Sequence, residues 1–157
     1  MLIRTHRRAD IPLIARLYFD TVRYSNSQHY DSGQIEAWAP RIRESAYWQR
    51  RFRRYKVFVA EEKGSICGFA ELNAETGHID CFYVHHQWQR QGVGRRLMRH
   101  IEADAKKRRL KRMFADVSIT ARPFFLAMDF AHVRAQKKFY RGRAFKQFFM
   151  AKTLSRK

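Results

Sequence analysis

Residues 80–98 of the chain read DCFYVHHQWQRQGVGRRLM. The aromatic and β-branched residues up to Val84 predict a strand, the glycines a loop, and the periodic apolar residues after them a helix. A helix that begins directly after such a loop points its free backbone N–H groups and its positive dipole end at one place. A phosphate group is the natural ligand there. Gly92 and Gly94 let the main chain approach it without a Cβ in the way.

Spacing excludes the two best-known phosphate motifs for this stretch. A Walker loop needs GxxxxGK[ST], which is absent, and the dinucleotide fingerprint needs three glycines and an acid about twenty residues later. Positive charge is nevertheless concentrated around the loop, at Arg90, Arg95, Arg96 and Arg99.

The remaining periodicity predicts an α+β fold with a mixed, mostly antiparallel sheet of about seven strands. The connections among the three strands before the glycine loop are too short for parallel crossovers, whereas the loop and its helix predict one central βαβ unit. The predicted strands are 1–6, 56–61, 66–72, 78–84, 114–119, 132–140 and 145–154. The first predicted helix begins after Asp10. The second begins with a capping box at Asp31 and Gln34 and ends at Ala39. Three further helices are predicted at 45–54, 92–107 and 122–128.

Length and composition indicate a single domain, 1–157, with a real core. A hydrophobic fraction of 45% argues against disorder. Two cysteines, Cys67 and Cys81, are too few for a disulfide scaffold and fit buried residues in a reducing compartment. The absence of an apolar run of about 18 residues or of a signal-like start predicts a cytoplasmic protein without a membrane span.

The charge balance is strongly basic. Lysine and arginine number 33 against 14 acids, a formal net charge of +19, and residues 130–157 contain no acid at all. Such a balance favours nucleic acid, an anionic surface or a phosphate-rich cofactor as a partner. A simply solvated basic surface is the alternative, and charge alone does not decide between them.

The motif Gln89-Arg90-Gln91-Gly92-Val93-Gly94 matches the Q/R-x-x-G-x-G/A signature of a known superfamily, and it follows a strand and opens a helix as that family requires. The chain resembles the GCN5-related N-acetyltransferase (GNAT) superfamily over nearly its whole length, since the element order also matches. Segments 29–40 and 118–125 resemble a bacterial subgroup. The resemblance implies transfer of an acetyl group from acetyl-CoA (CoA) to a primary amine on a small molecule or peptide.

The resemblance also implies where the cofactor binds. In the family, the loop backbone holds the cofactor diphosphate, the preceding strand hydrogen-bonds the pantetheine arm, and residues after Ser118 flank the far side. The implied cofactor-binding residues are Phe82, Tyr83, Val84, Gln89, Arg90, Gln91, Gly92, Val93, Gly94, Arg95, Ser118, Phe124 and Phe125.

Three residues are candidates for the base that takes the amine proton. Relatives often place a glutamate eleven residues before the signature glutamine, and here that position is His78, whose side-chain type has an ordinary pKa near ~6.5. Asp80 is expected on the same strand face, and Glu71 on the neighbouring strand. An ordinary strand histidine, an outward polar face or a structural ion pair would explain the same residues.

Two positions depart from the family pattern. The tyrosine that often protonates the departing thiolate corresponds to Phe125, so Tyr140 or another residue would have to replace it. Asp129 stands where a glycine is usual, and because aspartate tolerates a left-handed conformation better than most residues, a local adjustment is expected there. The missing tyrosine leaves open a degenerate transferase fold that binds acyl-CoA without turnover.

His29, Tyr30 and Trp38 border the acceptor site according to the resemblance. Trp38 could equally be a core residue, and His29 could cap the helix that begins near Asp31. The pair His85-His86 lacks further ligands at a suitable spacing, so no metal site is expected.

A second function class rests on residues 47–55, in which arginines alternate with aromatic residues. This pattern is typical of nucleic-acid binding through phosphate contacts and base stacking. The same pattern is also typical of an amphipathic helix with a solvated arginine face. The acetyltransferase function is favoured over nucleic-acid binding. Separately, the aromatic-rich stretch 145–150 could form a homodimer interface.

Overall fold

The computed structural model describes residues 1–155, which form one seven-stranded sheet with α-helices packed against it. The strands are β1 (Leu2–Thr5), β2 (Lys56–Glu62), β3 (Ser65–Leu72), β4 (His78–Val84), β5 (Arg112–Ser118), β6 (Ala131–Tyr140) and β7 (Arg143–Thr153). The helices are α1 (Ile11–Tyr24), α2 (Ser32–Trp38), α3 (Ser45–Arg51), α4 (Val93–Lys107) and α5 (Arg122–Ala127). No helix within this range is long and apolar enough to cross a membrane.

The strand order across the sheet is β1-β2-β3-β4-β5-β7-β6. Every neighbouring pair is antiparallel except β4 and β5, which α4 connects as a parallel crossover. The predicted α+β class, the order of the elements and the single βαβ unit are therefore confirmed. Three short 3-10 helices, Arg8–Asp10, Asn26–Gln28 and His86–Trp88, were not predicted.

Several predicted boundaries differ by one to three residues, and two of these differences have a clear physical reason. Helix α3 ends at Arg51 instead of reaching residue 54, because the chain turns there and Phe52 packs into the core. Strand β5 begins at Arg112 instead of Phe114, because the long-range partner β7 pairs with it as far as Thr153. Local spacing carries no information about such a partner.

The ends of the first two helices differ in their capping. The Asp31 carboxylate accepts a hydrogen bond from the Gln34 backbone N–H at 2.7 Å, and the Gln34 side-chain oxygen accepts one from the Asp31 backbone N–H at 2.8 Å, so the predicted capping box is confirmed. Asp10 precedes α1 as predicted but does not cap it. Its carboxylate binds Arg4 and the Arg7 backbone N–H, which ties β1 to the start of α1.

The two faces of the sheet have separate cores. On one face, Leu97, Met98 and Ile101 of α4 pack against Leu72 and Met113 of the sheet, all of them fully shielded from solvent. The opposite face is covered by α1 and α3, whose apolar side chains form a second cluster with β2 and β3. Cys67 and Cys81 are both buried and unpaired, as predicted.

Strand β4 contains a bulge that shapes the middle of the sheet. Leu72 pairs with Ile79 and Ala70 pairs with Phe82, so the single residue Glu71 of β3 stands opposite two residues, Asp80 and Cys81, of β4. Strand β4 then pairs with β5 only at His78 and Ile79. Beyond these positions the two parallel strands separate and leave a gap in the sheet.

A buried tyrosine ties the chain after β5 to β7. The Tyr30 hydroxyl donates to the Lys146 carbonyl at 2.6 Å and accepts from the Ile119 backbone N–H at 3.0 Å. Both backbone groups lose this partner if the hydroxyl is removed, and unpaired buried groups are costly.

We expect Tyr30→Phe to lower the free energy of unfolding by about 1–3 kcal/mol. The measurement is chemical denaturation, with a lower midpoint and an unchanged slope. Tyr24→Phe is the control, because Tyr24 is 59% exposed and its substitution should change the free energy of unfolding little. Equal stabilities of the Tyr30 and Tyr24 variants would contradict the assigned role.

Candidate active site

The gap between β4 and β5 opens into a cleft of about 780 Å³. Residues 79–84 of β4 line one side and residues 115–118 of β5 the other. Within the described chain, β4 pairs with β3 along this stretch but has no strand partner on the β5 side beyond Ile79. Its backbone therefore presents a free strand edge to the cleft, which an extended ligand can use as if it were a strand.

The glycine loop and the start of α4 form one end of the cleft. Gly92 precedes the helix with φ 82°, and Arg90 has φ 64°, so the chain curls tightly before the helix begins. A Cβ built at Gly92 would meet no atom within 4 Å, which means that open space lies in front of the loop. The first-turn N–H groups of a helix lack intrahelical partners and bind anions well. Gly92, Gly94, Arg90 and Arg95 all line the cleft.

Three residues of the predicted cofactor loop have structural roles. The Gln89 side-chain amide donates to the Val84 carbonyl at 2.9 Å and to the Ser25 hydroxyl at 3.0 Å, which fixes the loop to β4 and to the end of α1. Gln91 donates to the Gln87 carbonyl and does not line the cleft. Val93 is buried below the helix start.

Aromatic residues form the wall of the cleft next to α5. The rings of Phe82 and Phe124 stack with centroids 5.1 Å apart, and Phe125 meets both rings edge-on. The space beside Gly94 is tight, because an added Cβ would lie 3.0 Å from the Phe124 ring and the ring would have to shift. The Ser118 hydroxyl accepts from the Ala121 backbone N–H and so bends the chain into α5.

Tyr83 lies on the other face of β4, where it stacks on Phe69 and contacts Tyr18. Burial raises the pKa of the Tyr83 hydroxyl well above its ordinary value.

A buried ionic cluster lies beside the bulge. The Arg51 guanidinium binds the Glu71 carboxylate through two nitrogens, forms an ion pair with Asp80, and lies 3.7 Å from the Cys81 sulfur. Glu71 is completely buried, and burial raises its pKa although Arg51 opposes that shift. Arg51 and Asp80 line the cleft, whereas Glu71 lies behind them.

His78 belongs to a second polar group. Its Nε2 atom is 3.6 Å from the Asp116 carboxylate on β5, which also accepts from Gln136 and Lys138 of β6. His78 and these two hydrogen bonds hold the pKa of Asp116 well below its usual range. Asp116 and Lys138 line the cleft and His78 does not, so Asp80 is the one predicted base candidate in the cleft lining within the described residues.

The three predicted acceptor residues have different positions. Trp38 lines the cleft and also packs edge-on against Tyr30. Tyr30 itself is buried, and its hydroxyl is used by the backbone contacts described above. His29 does not cap α2. Its ring bonds the Thr120 hydroxyl at 2.9 Å, and it is Thr120 that lines the cleft.

The remaining residues singled out in the sequence also have clear positions. Asp129 adopts φ 65°, a left-handed conformation that aspartate tolerates in place of the usual glycine. Phe125 has no hydroxyl, and the Tyr140 hydroxyl lies outside the cleft, where it accepts from Arg43. His85 accepts from the Gln87 backbone N–H, while His86 stacks on Tyr24.

Sequence reasoning missed Arg51 and Asp116. Arg51 was one of many arginines in a basic segment, and only the fold brings it to Glu71, twenty residues later in the chain. Side chains alternate between the two sheet faces along β5, which places the Asp116 side chain on the face opposite the α4 core. This alternation was the one feature of the sequence that could have indicated its position. That signal does not distinguish a cleft residue from a solvated one.

We expect Asp116→Asn to destabilise the protein by about 1–2 kcal/mol at neutral pH, because Lys138 and His78 lose a carboxylate partner. An aspartate with a lowered folded-state pKa stabilises the fold above its ordinary pKa near ~4, and this contribution disappears as the pH falls through the folded-state value. The difference from the parent protein should therefore shrink below about pH 4 in chemical denaturation. A stability difference between the variant and the parent protein that does not change with pH would contradict the stabilising role of the Asp116 carboxylate. Asp129→Asn, at a side chain that is 88% exposed, is the control.

The mixed sheet has one central crossover, and the free β4 edge and the start of α4 border the same cleft. The sequence profile of the acetyltransferase (GNAT) domain family matches residues 26–153. The chain belongs to the GNAT family and is an acyltransferase.

Individual relatives agree with this assignment. The chain is 30% identical to the uncharacterized N-acetyltransferase YafP of Escherichia coli K12 over 148 residues, which cover 94% of this chain and 93% of YafP. A GCN5-related N-acetyltransferase of Rhodopseudomonas palustris superposes with a TM-score of 0.91 at 25% identity, covering 98% of this chain and 95% of that one. YncA of Salmonella typhimurium, solved with its cofactor acetyl-CoA, shares the fold with a TM-score of 0.72 at 23% identity, covering 98% of this chain and 94% of that one.

Proposed function

We propose that the protein is an acetyl-CoA-dependent N-acetyltransferase that moves an acetyl group directly to a primary amine. The observation that carries this proposal is the free edge of β4 beside the glycine loop of α4, both of which border one cleft. YncA, which shares the fold, binds acetyl-CoA, and the YafP name supports transfer to nitrogen.

The residues around the cleft fit this cofactor. Open space in front of Gly92 and the unpaired first-turn N–H groups of α4 suit a diphosphate, and the backbone of residues 82–84 suits the pantetheine arm. Phe124 would flank the cofactor from α5. When bound, acetyl-CoA supplies an acetyl thioester.

Asp80 is the proposed acceptor of the amine proton, directly or through one water. It is the only one of the three predicted base candidates that lines the cleft in residues 1–155. Glu71 is completely buried and cannot touch an acceptor, but it fixes Arg51, which in turn holds the Asp80 carboxylate. A carboxylate paired with a guanidinium is a weak base, so its contribution should lie at the low end of general-base catalysis.

The departing sulfur needs no dedicated acid in this proposal. A thiol has an ordinary pKa near ~8.5, so it can leave as a thiolate that takes its proton from water. Phe125 offers no hydroxyl, and Tyr140 is outside the cleft. The acyltransferase assignment argues against a degenerate protein that binds acyl-CoA without turnover, and turnover measurements test this.

The nucleic-acid alternative loses its main support. Trp48 and Phe52 are buried in the core between α1 and α3 and the sheet, so their rings are not free to stack on bases.

The aromatic stretch 145–150, the candidate homodimer interface, lies within the sheet. Strand β7 pairs with β5 on one side and with β6 on the other, and Phe145, Phe148 and Met150 are buried.

We expect Gly92→Glu to weaken acetyl-CoA binding at least about 100-fold, because a side chain and a negative charge would enter the space meant for the diphosphate. Calorimetric titration measures the affinity. Gly64→Glu is the matched control, since Gly64 also has a positive φ, 79°, and open space around it but lies in the β2–β3 turn. It should bind acetyl-CoA normally. Unchanged affinity in the Gly92 variant would overturn the cofactor site.

We expect Asp80→Asn to lower kcat about 100-fold with a small change in the KM for acetyl-CoA, because only proton removal is affected. Thiol release with a responsive amine measures both constants. His78→Gln should lower kcat less than about tenfold, since its ring lies outside the cleft lining. A larger loss in the His78 variant than in the Asp80 variant would transfer the base role to His78.

A further inference from the structure

A second, smaller cavity of about 180 Å³ lies beside the cleft. We call it the arginine pocket, because the residues that line it include Arg41, Arg43, Arg50 and Arg141, together with Glu44 and Tyr47. These residues come from the α2–α3 loop, from α3 and from the β6–β7 turn, so only the fold brings the four guanidinium groups together.

The cations of the arginine pocket are poorly neutralised. Glu44 is the one acid in its lining, and within residues 1–155 it lies beyond ion-pair distance of every arginine there. Like charges held close together repel one another unless an anion joins them. An oxyanion is the ligand that arginine binds best, since the planar guanidinium can donate two parallel hydrogen bonds to it.

Two of the four arginines are already fixed in position. Arg43 donates to the Tyr140 hydroxyl at 2.6 Å, and its guanidinium lies 4.3 Å from the Tyr47 ring centroid. Arg141 lies over the Tyr140 ring at 5.1 Å. Side chains that are held before a ligand arrives lose little entropy on binding, which favours a specific site over a diffuse basic surface.

Tyr47 connects the arginine pocket to the cleft, because it lines both cavities. A molecule whose amine lies in the cleft can therefore extend past Tyr47 and place an anionic group among the arginines. We propose that the arginine pocket binds an oxyanion, a phosphate or carboxylate, that is carried by the acceptor amine. This inference rests on the proposed acetyltransferase function.

The size of the arginine pocket favours a small acceptor. A cavity of about 180 Å³ accommodates a single oxyanion group and is too small for a polynucleotide strand. Because four arginines face one acid, Glu44, in the lining, cationic groups such as those of polyamines are disfavoured there.

The first experiment measures anion binding without any turnover. Protein saturated with CoA, so that the cofactor loop is occupied, is titrated with inorganic phosphate at constant ionic strength. We expect saturable binding that weakens at least about tenfold in the double variant Arg41→Gln/Arg141→Gln. The matched control is Arg53→Gln/Arg54→Gln, which removes two exposed arginines of the same segment that line neither cavity. Equal phosphate binding by the pocket variant and the parent protein would overturn the proposal.

The second experiment measures acceptor preference. A series of aminoalkyl phosphates of increasing chain length is compared with the matching amino alcohols by thiol release. We expect the phosphate to raise kcat/KM at least about tenfold at one favoured chain length, and the pocket variant to lose this preference while its acetyl-CoA affinity stays the same. The Arg53/Arg54 control should keep the preference.

The two proposals fail in different ways. Turnover of amino alcohols with no phosphate preference and no phosphate binding would overturn the arginine pocket and leave the acetyltransferase function intact. Phosphate binding that depends on Arg41 and Arg141, with no turnover of any amine, would instead count against the acetyltransferase function and support the pocket as an oxyanion site.

Discussion

The bulge at Asp80 and Cys81 is the constraint on which the rest of the site depends. Two residues of β4 opposite one residue of β3 bend the strand, and β4 can then follow β5 for only two paired positions. A fully paired sheet would have closed this gap with backbone hydrogen bonds. Instead, a strand edge remains unpaired in the middle of the sheet, where the surrounding layers protect it from edge-to-edge association.

The bulge also explains why a carboxylate is buried. It brings Asp80 and Cys81 toward the α3 side, next to Glu71, and a completely buried Glu71 needs a positive partner. Arg51 supplies that charge from α3 and binds both carboxylates. Removing Arg51 would leave two uncompensated acids, so the cluster links the position of α3 to the geometry of the cleft.

The net charge of +19 gains a more specific meaning from the ion pairs. Several acids are already matched within the described residues: Asp10 and Glu61 bind Arg4, Asp104 binds Lys56 and Arg108, and Glu102 binds Lys152. The lysines and arginines in excess therefore lie where few acids are available. The arginine pocket, with four arginines and one acid in its lining, is one such place. Composition alone could not separate this arrangement from a nucleic-acid surface or a solvated face, because it records numbers of charges and not their positions.

The sequence by itself determined the strands, the α-helices and the position of the glycine loop. Periodicity located every strand and α-helix within a few residues, and the spacing of Gly92 and Gly94 after a strand located the start of α4, because these signals are local in the chain. Only the tertiary structure decided which acids meet which bases. The pairing of Arg51 with Glu71 and Asp80, of His78 with Asp116, and the gathering of Arg43 and Arg141 around Tyr47 and Tyr140 all join segments far apart in the chain. The physical reason is that strand register, a bulge and helix packing fix those distances, and none of the three leaves a local pattern in the sequence.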